Sequence, residues 1–282
     1  MGKFWSVFFI VWPILAIWVC WIAPDRGWWF PGEDGQPVTP LGKQIDDLFY
    51  LILVIVTVVF IGTQIALGYV LWRGSDDTGE KALFSHGSHN LEVVWTIVPS
   101  GILLFIALYQ MDVWMQFRIH TNYPAQAVNQ PIAVVTARQF EWRIRYPAPD
   151  RVFKGKADRL NWAKQPEPGD LYTVNDLHVP TNHPVQIYLK SGDVQHAFFS
   201  PRLRIKQDAV PGQIIPVWFE VIEGGQYELI CAELCGWGHY KMKARLWAQP
   251  EREFREYLKQ LEKEQFDDGV SEQSEPSVAQ SD

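Results

Sequence analysis

Three apolar runs without a single charge stand out along the chain. They are Phe4 to Ala23 (20 residues), Leu48 to Trp72 (25) and Val93 to Met111 (19). About 20 helical residues cross the hydrocarbon core of a bilayer, so each run predicts a membrane-spanning helix. Beyond Met111 the pattern shortens. Ile132-Ala-Val-Val-Thr136, Phe140-Glu-Trp-Arg-Ile-Arg145, Val185-Gln-Ile-Tyr-Leu189, Ile214 to Val221, Tyr227-Glu-Leu-Ile230 and Ala244-Arg-Leu-Trp247 read as strands, several of them alternating apolar with polar. Short strands separated by Pro, Gly and Asn predict an all-β sandwich or barrel. Lys154 to Gly169 breaks this pattern with three Lys, an Arg and two Pro, and reads as an exposed insertion. Residues 251–266 read as a short charged helix, followed by an acidic tail with the composition of disordered chain.

The expected organisation is therefore an N-terminal apolar helix (1–23), an external loop (24–47), a transmembrane hairpin (48–111), a β-domain (112–250) and the charged C-terminal segment (251–282). Lys3 before an apolar stretch also fits a secretory signal, but no A-x-A site follows, which favours retention as a third span. Cleaved or retained, the first helix leaves residues 112–282 on the same side. Loop charge leaves orientation open, because residues 24–47 and 73–90 carry two Lys or Arg each.

Charge is unevenly distributed. Residues 1–115 hold 5 basic and 10 acidic side chains, residues 116–250 hold 16 and 12, and residues 251–282 hold 4 and 10. Nothing in this pattern points to nucleic acid. Three cysteines are too few for a disulfide framework. Cys20 lies in the first apolar run, where a buried, inert thiol is expected. No C-x-x-C-H is present, which leaves no covalent c-type haem site.

The chemistry concentrates in Cys231-Ala-Glu-Leu-Cys235-Gly-Trp-Gly-His239-Tyr-Lys-Met242. Two thiols, an imidazole and a thioether at i, i+4, i+8 and i+11 form a soft donor set. Such donors favour copper over Mg, Ca or Mn, and zinc gains little from a Met thioether. A second His is sought upstream, in Ser191-Gly-Asp193-Val-Gln-His196-Ala-Phe-Phe.

The pair D-V-x-H-x-F and C-A-E-L-C-G-x-G-H-x-x-M, with K-Q-D-x-x-P-G between them, resembles subunit II of cytochrome c oxidase. The resemblance runs from about Gln44 to Ala248. It implies a cupredoxin-like Greek-key sandwich, held outside the membrane by the helical hairpin. It also implies a dinuclear copper centre (copper A), bridged by Cys231 and Cys235 and capped by His196 and His239. Met242 would be a weak axial ligand, and Glu233 would contribute its backbone carbonyl. In the family the Glu233 carboxylate also binds Mg or Mn where the subunit meets subunit I. Glu92, in E-x-x-W-T-x-x-P at the start of the third run, matches an acid at the cytoplasmic mouth of a proton path. Asp193 and Asp208 match acids that attract a basic donor, although the +4 balance of residues 116–250 weakens that picture. One departure is clear: the family's Q-W-x-W, whose first Trp takes in electrons, is Gln139-Phe140-Glu141-Trp142 here. Phe140 keeps an apolar stacking face and loses the indole N–H, while Trp142 reads as a packed strand residue.

The expected role is electron transfer from an external c-type cytochrome or small copper protein to haem in a partner subunit that reduces O2. The setting would be a bacterial plasma membrane, with the copper domain on the periplasmic side. A quinol-oxidase-like scaffold would lack the ligands. Two family-like spans argue against copper storage, and the chain lacks the length and histidines of a nitrous oxide reductase.

Overall fold

A computed structural model of the chain describes residues 2–28, 35–75, 84 and 86–266, so the acidic tail lies outside the described residues. It divides into two compact units, one of residues 1–36 and 43–118 and the other of residues 37–42 and 119–282.

The first unit is helical: α1 (Gly2–Ile22), α2 (Pro40–Gly74), α3 (His89–Tyr109) and α4 (Met111–Arg118). The first three are long and apolar enough to cross a membrane. Large apolar side chains such as Val58, Leu67 and Leu103 stand exposed on them, as on helices whose outer solvent is lipid. Cys20 is exposed on α1, not buried, because no described residue packs over it. α1 and α2 approach closely at small residues. The Ser6 hydroxyl donates to the Gly68 carbonyl at 2.6 Å, and a Cβ on Gly68 would stand 2.6 Å from Ile10 Cγ1.

α2 begins eight residues before its charge-free run, so the C-terminal end of the expected external loop is helical. The cause is local. Thr39 accepts a hydrogen bond from the Gly42 N–H at 2.9 Å, and Pro40 opens the first turn; together they start a helix before the chain turns apolar.

The second unit is the sandwich. Its strands are β1 (Ala133–Arg138), β2 (Glu141–Tyr146), β3 (Leu171–Val174), β4 (Asp176–Pro180), β5 (Pro184–Ser191), β6 (His196–Ser200), β7 (Ile205–Ala209), β8 (Ile215–Glu220), β9 (Gly225–Cys231) and β10 (Lys243–Gln249). They form two five-stranded sheets, β3-β2-β1-β5-β8 and β4-β10-β9-β6-β7. Pairing is antiparallel except for β1 with β5 and β10 with β4. Fully buried Trp142, Ile144, Leu177, Leu189, Phe198, Leu229 and Leu246 fill the core. Residues 37–42 act as a strap on this unit: the Val38 N–H donates to the Arg202 carbonyl, the Ile222 N–H to the Val38 carbonyl, and Thr39 Oγ1 to the Leu203 carbonyl.

The supposed insertion is packed, not exposed. It contains α6 (Lys156–Lys164), whose Trp162 and Ala163 are buried against Phe153, Val134 and Tyr188. Arg145 of β2 reaches the C-terminal end of this helix. It donates to the carbonyls of Trp162 and Gln165, pairs with the buried Asp170, and lies 4.9 Å over the Trp162 ring. Arg159, Trp162 and Ala163 share one face, and lysines on the other dominated the composition. Before β1 stands a short helix α5 (Ala125–Asn129), and α7 (Glu251–Phe266) follows β10. Phe254 and Tyr257 of α7 dock on Tyr146 and His178, with the His178 and Tyr257 rings stacked at 3.6 Å.

Candidate metal centre

The register of β6 against β9 builds the centre. Phe198 pairs with Cys231, the last residue of β9, so His196 at the start of β6 lies beside the loop that follows. That loop returns on itself through a bond from the Cys231 N–H to the Met242 carbonyl, at 3.1 Å. It turns at Gly236, whose φ of 131° suits glycine.

Within this frame Cys231 Sγ stands 3.8 Å from His196 Nδ1 and 3.9 Å from Cys235 Sγ. Cys235 Sγ stands 3.6 Å from His239 Nδ1 and 3.9 Å from Met242 Sδ. The Glu233 carbonyl oxygen is 3.2 Å from Cys231 Sγ. Six donor atoms thus converge: two imidazole nitrogens, two thiol sulfurs, one thioether and one carbonyl. His196, Cys231, Cys235 and Met242 are all buried. The donor types suit a soft or borderline transition metal, and the two cysteine sulfurs lie between the two imidazoles. Burial, with the neighbouring Cys231 sulfur second, pushes the Cys235 thiol up to about 11. Two adjacent thiolates need a cation to hold them together, which metal binding supplies.

Further contacts orient the candidate ligands. Asp193 Oδ1 is 2.7 Å from His196 Nε2, which leaves Nδ1 to face the sulfurs. Burial would raise the Asp193 carboxyl, but bonds from the Gln139 N–H, His196 and the Val194 N–H outweigh it and hold the carboxyl below its ordinary value. Gln139, which sequence reasoning missed, ties three segments together. Its N–H donates to Asp193 Oδ2 at 2.7 Å, and its Nε2 donates to the Cys235 carbonyl at 2.5 Å. Only its place before Phe140 in a motif hinted at this.

The remaining candidates divide. Phe140 lies in the β1–β2 turn beside the metal loop, its ring 5.2 Å from that of Trp237. Trp142 is fully buried and borders His196 edge-on at 6.4 Å. Asp208 Oδ2 accepts from Gln195 Nε2 at 3.1 Å, one residue before His196. Glu92 belongs to the first turn of α3, in the helical unit.

Residues 134–247 match the family model for the cytochrome c oxidase subunit II periplasmic domain, and residues 35–113 match that for its transmembrane domain. The chain is similar to an alternative cytochrome c oxidase subunit 2 of Bradyrhizobium diazoefficiens, 30% identical over 83% of this chain and 84% of the relative. A cytochrome c oxidase subunit 2 of Synechocystis sp. is 29% identical over 77% and 72% of the two chains. A crystal structure of the periplasmic domain of subunit II of cytochrome oxidase from Bradyrhizobium japonicum aligns with 48% of this chain and 96% of its own, at TM-score 0.40 and 22% identity. Through these matches and its membrane helices, the chain belongs to the cytochrome c oxidase subunit II family, whose members are parts of haem–copper oxidases.

Proposed function

We propose that His196, Cys231, Glu233, Cys235, His239 and Met242 hold a dinuclear copper centre. Through it the chain would relay single electrons from an external c-type cytochrome or small copper protein to haem in subunit I. The observation that carries this reading is the convergence of two imidazole nitrogens on two sulfurs 3.9 Å apart, with the thioether and the carbonyl beside them. Bound there, the copper pair would supply a one-electron couple whose unpaired spin is shared across the sulfurs. The protein's part is preorganisation. Asp193 fixes the His196 ring, Gln139 holds the Cys235 end of the loop, and burial keeps water from the sulfurs.

Three further roles follow from the same reading. The Glu233 carboxylate would bind Mg or Mn at the contact with subunit I, while the backbone carbonyl of the same residue is turned to Cys231. Glu92, exposed in the first turn of α3, would stand at the entry of a proton path. The sandwich would face the periplasm of a bacterial plasma membrane, where a soluble donor can reach it.

Electron paramagnetic resonance of the copper-loaded, oxidised assembly tests the reading. Two equivalent copper nuclei sharing one spin give a seven-line hyperfine pattern. A four-line pattern from one copper, or zinc in metal analysis, overturns it.

A further inference from the structure

Trp237 and Tyr240 project from the metal loop with 79% and 69% of their surface exposed, although large aromatic rings gain most from burial. The cause is beneath them. A Cβ on Gly238 would stand 2.5 Å from Phe140 Cδ2, and one on Gly236 would stand 2.8 Å from Gln139 Nε2 and 3.2 Å from Phe140 Cζ. The Phe140 ring thus fills the space under the loop, and only glycines fit over it. Trp237, the residue between those glycines, is turned outward. Its ring meets Phe140 edge-on at 5.2 Å and 69°. The Lys241 ammonium lies 5.4 Å from the centroids of both the Trp237 and Tyr240 rings. The result is a flat aromatic projection with a cation beside it, two residues from each of the ligands Cys235 and His239.

Resting on the electron-relay reading, we propose that Trp237, seated on Phe140, is the residue on which the electron donor docks. The donor is a c-type cytochrome whose exposed haem edge is ringed by acidic side chains. A broad indole offers the flat apolar face that a porphyrin edge requires, and Trp leads the residues that dominate interface energies. Charge selects the acidic partner. Lys241 marks the patch as cationic, and residues 116–250 carry 16 basic against 12 acidic side chains. Asp193 accepts from the Gln139 N–H and His196, and Asp208 from Gln195, whereas the charge seated on the projecting rings themselves is that of Lys241.

The test uses the assembled oxidase with two purified cytochrome probes, one acidic and one basic. Dissociation constants are measured for the oxidised probes, and bimolecular reduction rates for the reduced ones. The unaltered protein should bind the acidic probe more tightly, with an affinity that falls as salt rises. W237A should weaken that binding and slow reduction about tenfold or more, with W237F between the two, while the copper resonance stays unchanged. K241E should weaken the acidic probe and favour the basic one. An unchanged dissociation constant and rate in W237A overturn the docking role, and preference of the unaltered protein for the basic probe overturns the identity of the donor. If the unaltered protein lacks the shared-spin signal, the electron-relay reading falls; if the signal is present and W237A is silent, only this proposal falls.

Discussion

Asp193 offers no donor to a metal, yet its bond to His196 Nε2 decides which imidazole nitrogen faces Cys231. Replacing it with Ala frees the ring to rotate and should lower copper affinity about 10–100-fold, measured by competition with a chelator; D193N, which keeps an acceptor oxygen, should lose less. At this scale the sequence was most legible where the chemistry is local. Cys231, Cys235, His239 and Met242 occupy twelve consecutive residues, so their donor types could be read as one set. Gln139 was illegible because its partner carbonyl at Cys235 lies 96 residues away. Trp237 was invisible for a related reason: its exposure is caused by Phe140, a neighbour only in the fold. Asp193 was noticed as an acid that could attract a partner, and its bond to His196 was not, since a loop carboxylate looks the same in sequence in either setting.

Among the elements, the two small helices on the sandwich were read with opposite success. The charged pattern of α7 showed its length but not its docking partner. His178 is stacked between Tyr257 of α7 and Trp247 of β10, with Nδ1 at 3.1 Å from Gln249 and Nε2 at 3.6 Å from Asp176. Burial lowers the His178 pKa, outweighing the Gln249 and Asp176 contacts that raise it, and Arg245 lowers it further. The folded protein therefore resists a proton that the unfolded chain accepts. The contribution of the neutral ring is fully present above the unfolded value of about 6.5 and is lost as pH falls through the lower folded value. Thermal melts of the wild type should show this loss below about pH 6.5, and H178Q should melt with a flatter pH profile in that range. α6 was mistaken for an exposed insertion because Leu160 and Trp162 are its only large apolar residues among charges. Its anchor is the buried Arg145–Asp170 pair, with Trp162 Nε1 also donating to Asp170 at 3.0 Å. D170A strands the guanidinium in the core and should cost about 3–5 kcal/mol in denaturant unfolding, far more than charge removal at exposed Lys156.

At the level of the whole molecule, the large signals carried furthest. Charge-free runs of 19 residues or more leave little alternative to membrane helices, and alternating strands after Met111 announced the sandwich. Four strands, β3, β4, β6 and β7, escaped notice, being only four or five residues long and interrupted by Asp, His and Lys. The strap at residues 37–42 was hidden too, because its partners Arg202, Leu203 and Ile222 are distant in sequence. One of the overlooked strands matters most. β6 shares five residue pairs with β7 but only two with β9, Phe198 with Cys231 and Phe199 with Ile230. Alternation along a strand is strict, so a slip of one position would send His196 to the opposite face while leaving the compact 231–242 loop whole. On the proposed dinuclear reading, filling the second metal position would therefore depend on the shortest zipper in the sheet. On that same reading a nascent chain would capture one ion early with local donors, and would carry electrons only after that zipper had closed in the right tooth.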